Sequence, residues 1–367
     1  MNGPRSHTMI GDVDDMGRAG AAGRTGEAPA EGAPGPSPPR PDRRRALTGA
    51  AVVIVALAGA GVAVWEERSS VGPALSHLGV GSLAVATVCG LVSVAATYPV
   101  WWSVLAGLEV RLPVATGAGI FFTTQLGKYI PGSVWPMVMQ MEAGRARGAS
   151  RRTMITANLV MILLTSTSGL IVAAAVLPFY DAGALARYWW GLAAVPFLAA
   201  LLHPRALTGV VDFAARLLRR PPMGGVLEWR MELRACAWTL LVWLGMGIQA
   251  GVLAADLKGW SFSVLAVGVG AMALAVPLGV LFIPAPAGAG IRDVVLGLVL
   301  GSAMPAGQAL AVVLASRAIA VVCDLLAAGL AATVLRVRRS RRSRAGAVWA
   351  GRTGAGGTVG GTDAGKR

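Results

Sequence analysis

Lysine is almost missing from this chain. Of 33 basic residues only Lys128, Lys258 and Lys366 are lysines, the rest being arginines. Charge of either sign is scarce, at 14% of 367 residues, against 55% hydrophobic side chains and a mean hydropathy of +0.62. A soluble core of this length needs polar faces between its apolar stripes, and those faces are absent. Cysteine is rare too: Cys89, Cys236 and Cys323 all sit within apolar runs, where a thiol is a small buried side chain rather than half of a disulfide. His7, His77 and His203 are scattered without metal-ligand spacing, and no zinc site, P-loop or nucleophile elbow is visible. The expectation is a chain with no metal, no cofactor, no catalytic group and no enzymatic activity.

What the sequence does have is long apolar runs. Residues 46–65 are uncharged and mostly apolar, enough to cross roughly 30 Å of hydrocarbon. Comparable runs cover residues 78–108, 113–125, 153–179, 188–202, 235–255, 259–291, 294–316 and 318–335. The first run begins too far from Met1 for a cleaved secretory signal and reads as a retained anchor. Residues 1–45 hold too little apolar surface to fold, and the Gly/Arg-rich residues 338–367 are similar, so both ends are expected to be disordered tails around one membrane domain over residues 46–337.

A net charge of +15 and a pI near 11.2 invite a nucleic-acid reading, but the basic residues lie in the tails and in loops beside apolar runs. That is the positive-inside pattern, for which anionic lipid headgroups at the cytoplasmic face are sufficient partners and nucleic acid is not expected. Arg40, Arg43, Arg44 and Arg45 place the N-terminus in the cytoplasm, Arg145, Arg147, Arg151 and Arg152 mark the next cytoplasmic loop, and the cluster from Arg336 to Arg344 places the C-terminus there too. The expected fold is all-α, a polytopic helical bundle in the cell membrane. It has about eight transmembrane helices plus one or two broken or re-entrant segments. Residues 113–141 begin and end on one side, as a re-entrant hairpin or two short crossings, with the hairpin favoured by the break in mid-segment. Residues 211–220 read as an interfacial amphipathic helix.

The break is Gln125-Leu126-Gly127-Lys128-Tyr129-Ile130-Pro131-Gly132-Ser133-Val134-Trp135-Pro136. Proline removes a helix hydrogen bond and biases the residue before it away from the helical region. A cation at hydrocarbon depth costs about 3 kcal/mol or more, and broken backbone survives there only where protein or a water-filled cavity satisfies it. Lys128 therefore either lines a site or snorkels to the headgroups. A second interrupted segment, Pro284-Ala285-Pro286-Ala287-Gly288-Ala289-Gly290-Ile291-Arg292-Asp293, is either a plain cytoplasmic turn or the counterpart of the first. Paired interruptions in two halves of a membrane protein point to a transport site, and half-helix N-termini there suit phosphate or carboxylate. Arg317 and Asp324, seven residues apart, share a face of the last apolar run. Arg317–Asp293 and Asp324–Lys128 are both conceivable pairs. Trp101, Trp102, Trp189 and Trp190 read as interfacial belt residues, and Thr123, Thr124, Gln125 and Asn158 as hydrogen-bonding groups between helices.

At these two segments the chain resembles the transmembrane region of lysylphosphatidylglycerol synthases, a flippase-like family. The motif from Gln125 to Trp135 with the basic loop at 145–152 carries the likeness, and the segment from Pro284 to Asp293 extends it, with Ala where the family often has Gly and Asp293 where it often has Glu. The resemblance implies an inner-membrane bundle that moves a lipid headgroup between leaflets. The soluble aminoacyltransferase domain of bifunctional members is not expected in the roughly thirty low-complexity residues after the last run, so lipid aminoacylation is not expected either. The candidate headgroup-binding residues are Gln125, Lys128, Tyr129, Pro131, Gly132, Trp135, Pro284, Gly288, Gly290, Arg292, Asp293, Arg317 and Asp324. Two functions fit: a translocase of a phospholipid or lipid-linked precursor, driven by no nucleotide, or a non-catalytic accessory subunit partnering an envelope lipid or glycan biosynthesis enzyme.

Overall fold

A backbone in hydrocarbon must satisfy each N–H locally, so long apolar runs become helices. The computed structural model describes residue 65 and residues 68–129, 135–146, 148–179, 183–217, 228–281 and 290–354, and no strand occurs among them. The helices are α1 (Arg68–Ser76), α2 (Val80–Gly107), α3 (Val114–Gln125), α4 (Trp135–Arg145), α5 (Arg151–Val176), α6 (Ala184–Leu202), α7 (Pro204–Leu217), α8 (Trp229–Lys258), α9 (Phe262–Leu281), α10 (Ile291–Gly301) and α11 (Ala306–Gly354). Short 3-10 turns, Leu126–Tyr129 and Leu177–Phe179, extend α3 and α5.

Five of these, α2, α5, α8, α9 and α11, are long and apolar enough to cross a membrane, and α6 with α7, bent by 78° at His203, offers a sixth. The chain is an all-α multi-pass membrane protein. The run at 46–65 lies outside the described residues except for Trp65. The run at 294–316 differs from its reading as a single span. A turn at residues 302–305, ending in Pro305, separates α10 from α11, because proline cannot continue the preceding helix. With 11 residues, α10 rises only about 16 Å, half of the hydrocarbon thickness. The limbs α3 and α4, of 12 and 11 residues, are equally short, the lengths that a re-entrant hairpin requires. At the other end α11 continues to Gly354, past the expected boundary at residue 337, since Ala and Arg are strong helix formers.

Two large apolar clusters and a small one around Trp243 fill the bundle among the described residues. Of the large ones, one joins Leu78, Leu253, Val264, Met272, Leu296 and Leu300, and the other joins Tyr98, Trp101, Phe121, Met154, Leu164 and Leu207. The second also receives Leu207 and Val211 from α7, the amphipathic helix, which begins at Pro204, earlier than expected. Trp101 is fully buried, not interfacial: it packs on Phe121 with ring centroids 5.4 Å apart, and Tyr98 lies 5.9 Å from both Phe121 and Phe122. Trp189 and Trp190 are exposed, as belt residues should be. Thr123, Thr124 and Asn158 donate to carbonyls of their own helices rather than across to others.

The centre of the bundle is α8 against α9, where small residues let the backbones approach. A Cβ added at Gly268 would fall 2.5 Å from Gly251 Cα, with backbone on the far side that cannot yield. Gly268→Val is therefore expected to destabilise the protein by about 3 kcal/mol through overpacking. Thermal unfolding in detergent would check this, and an unchanged midpoint would contradict the close packing.

Candidate functional site

The hairpin of α3 and α4 is held from below by aromatic packing and by two bonds to the start of α3: Tyr98 Oη donates to Val114 O at 2.7 Å, and Trp102 Nε1 to Leu112 O at 3.3 Å. At its tip, Gly127 makes the return possible, since a Cβ there would lie 3.2 Å from Pro136 N and from Trp135 Cβ. Lys128 and Tyr129 follow in the 3-10 turn. Lys128 Nζ meets Asp324 Oδ2 at 2.7 Å and lies 5.5 Å from the Tyr129 ring centroid, while the Tyr129 hydroxyl donates to the same carboxylate oxygen. Lys128 is thus paired within the bundle.

Depth follows from α11. Arg317 and Asp324 flank residue 322, the midpoint of the apolar stretch 309–335. Between them the helix is locked to its neighbours: Gln249 Nε2 donates to Ser316 O at 3.2 Å, and Cys323 Sγ to Thr87 O at 3.6 Å. The outer face of the same helix presents Val322, Leu325, Leu326 and Leu330 to lipid.

The second break delivers its groups to the same depth. Gly290 adopts φ +90°, a left-handed conformation natural only to glycine, and turns the chain into α10. Asp293 accepts from Gly290 N at 3.2 Å and also receives Arg317 Nη1 at 2.7 and 3.0 Å through its two oxygens. So both conceivable pairs form. Arg292, the neighbour, has neither. Its Nη2 reaches only Met272 Sδ at 3.9 Å, and its Nε is sealed from solvent without a partner. The guanidinium lies within electrostatic reach of Asp293 first, then of Arg317, Tyr129 and Asp324, which makes one cluster of the two breaks.

The charges do not cancel. Lys128 is matched by Asp324 and Arg317 by Asp293, which leaves Arg292 as the surplus cation among the described residues. Residues 130–134 and 282–289 contain no ionisable side chain, so neither loop can supply a counter-ion. A half-helix N-terminus adds partial positive charge beside it.

Comparison with protein families returns one that fits this architecture: the lysylphosphatidylglycerol synthase TM region matches residues 47–328. The chain belongs to this family. A search of curated proteins found no match. Every charged group of the cluster, from Lys128 to Asp324, falls inside the family region, whereas the last turns of α11 lie beyond it.

Of the residues expected at the site, Lys128, Tyr129, Gly290, Arg292, Asp293, Arg317 and Asp324 come together as described. Gln125 closes α3 half-buried just before the turn, and Trp135, 43% exposed, opens α4 over Gly127. Pro131, Gly132, Pro284 and Gly288 lie outside the described residues. Sequence reasoning missed Met272, which floors Arg292 from α9, because one methionine in an apolar run carries no signal. It also missed Glu232. Read as part of a basic cytoplasmic stretch, Glu232 is 6% exposed in the first turn of α8 and its Oε2 has no partner. The only hint was an acid isolated between Arg230 and Arg234. Among the described residues no group of three His, Cys, Asp or Glu side chains is arranged to hold a metal ion.

Proposed function

We propose that this protein is a lipid translocase of the cytoplasmic membrane that binds the phosphate of an anionic or zwitterionic lipid, or of a lipid-linked precursor, at the two helix breaks. The observation that carries this reading is the surplus cation, Arg292, whose Nε is sealed from solvent without a partner in the first turn of the half-helix α10. A buried charge without a partner costs several kcal/mol, and a phosphate oxygen at the guanidinium would remove most of that cost through charge-assisted hydrogen bonds. Lys128 and Arg317 sit close enough to share a larger headgroup, while Asp293 and Asp324 limit the total positive charge and offer acceptors to an amine. The hairpin of α3 and α4 opens to the side bearing Arg145 and Arg151, which by the positive-inside rule is cytoplasmic, with both termini there. The sequence holds no nucleotide-binding motif, so movement on this reading is passive or driven by an ion gradient, without enzymatic chemistry.

The test is transbilayer movement of fluorescent phospholipids in proteoliposomes. Movement of an anionic phospholipid well above that of protein-free vesicles is expected. No movement over a range of headgroups would reject a translocase and leave the family's membrane domain as an accessory subunit of envelope lipid or glycan biosynthesis.

A further inference from the structure

The charged cluster is not the only concavity along α10. A groove of about 380 Å3 lies between α5, α6, α9 and α10, walled by Leu170, Leu177, Trp190, Ala194, Leu298 and Val299. Among the described residues its only polar side chains are Trp190 and Ser302. Leu170 and Leu177 belong to the end of α5 and its 3-10 extension, and Leu298 and Ser302 to the end of α10, so the groove occupies the half of the membrane away from the basic loop at 145–152.

Its position relative to Arg292 is set by α10. On α10, Val299 follows Arg292 by seven residues, which places it on the same helical face about 10 Å farther along the axis. On α9, Met272 touches Arg292, and Leu274 lines the groove from another face of the same helix. The surplus cation and the apolar channel thus follow one another along the α10 face that carries Arg292 and Val299. We propose that the groove holds an acyl chain of the same lipid whose phosphate sits at Arg292. The inference rests on the headgroup site proposed above and adds the path of the tail. Because membrane hydrocarbon is as apolar as the groove, the groove adds no hydrophobic driving force of its own. Occupancy by this particular chain is directed by the headgroup anchor, and that dependence is what separates a bound lipid from a passing one.

The experiment uses the full chain in proteoliposomes containing either an anionic phosphatidyl lipid or diacylglycerol, each with a diazirine at the end of one acyl chain. Labelled peptides are mapped by mass spectrometry. Label from the anionic lipid should concentrate on α5, α6 and α10, about tenfold above that from diacylglycerol. Ala194→Trp, which fills the groove from α6, should remove that label and slow transport of the same lipid to a similar degree. Leu298→Trp, at a site 70% exposed and free of packing constraint, does the same from the α10 wall if Ala194→Trp fails to fold. Equal labelling by the two lipids would overturn the proposal, because the groove would then hold only bulk lipid. Unchanged transport in a folded variant that has lost the label would overturn it as well. Headgroup-dependent label with no transport by wild type would keep the tail site and remove the translocase reading instead.

Discussion

Asp324→Ala should destabilise the folded protein by about 3–5 kcal/mol, the range for removing one partner of a buried ion pair. Its carboxylate is 7% exposed, holds Lys128 Nζ at 2.7 Å and accepts the Tyr129 hydroxyl. Alanine would strand both the ammonium and the phenol where α3 ends in its 3-10 turn. The hairpin is the part least able to absorb this, since each limb is about three turns long and depends on its contacts with α5 and α11. Asp324→Asn keeps an acceptor for Tyr129 and should fall between wild type and Asp324→Ala. Lys128→Met in the Asp324→Ala background should recover most of the loss, because replacing both ends of a buried pair by apolar groups is close to neutral. Thermal unfolding of wild type, the two single variants and the double variant in one detergent gives the coupling energy directly. If Asp324→Ala costs as much in the Lys128→Met background as in wild type, the pair does not hold the hairpin in place.

Much of this site could be read from the residues. Prolines and glycines beside a lone lysine marked one break, the Pro/Gly run before Arg292 marked the other, and the seven-residue spacing put Arg317 and Asp324 on one face. Those signals survive because charge and broken backbone in hydrocarbon are expensive enough to need an explanation. Pairing was open, since three cations and two acids admit several matchings and only the depth of each helix end selects among them. Depth was also what misled the reading of 294–316. A half-helix, a turn and the start of a long helix have the same summed hydropathy as one span, and only Pro305 distinguishes them. Trp101 shows the same limit: a tryptophan in the last turns of an apolar helix looks interfacial until α3 folds back and buries it.

Arg292→Gln should do the opposite of Asp324→Ala on stability while removing function. Among the described residues no carboxylate hydrogen-bonds the guanidinium and its Nε has no acceptor, so the folded state carries the desolvation cost of a partly buried cation that Asp293 and Asp324 offset only through space. A neutral amide of similar length lowers that cost, and the unfolding midpoint should rise by a few degrees. Transport should fall about a hundredfold, since losing one side of a desolvated charged contact costs about 2–5 kcal/mol. Arg292→Lys keeps the charge but not the planar fork, and should keep part of the transport. A gain in stability with a loss of transport is the signature of a residue kept for its ligand rather than for the fold. If Arg292→Gln instead unfolds the protein as Asp324→Ala does, the arginine is a structural partner. If it leaves transport intact, the phosphate is held elsewhere. The sign of the stability change thus separates the binding role from the packing role, which loss of activity alone would not.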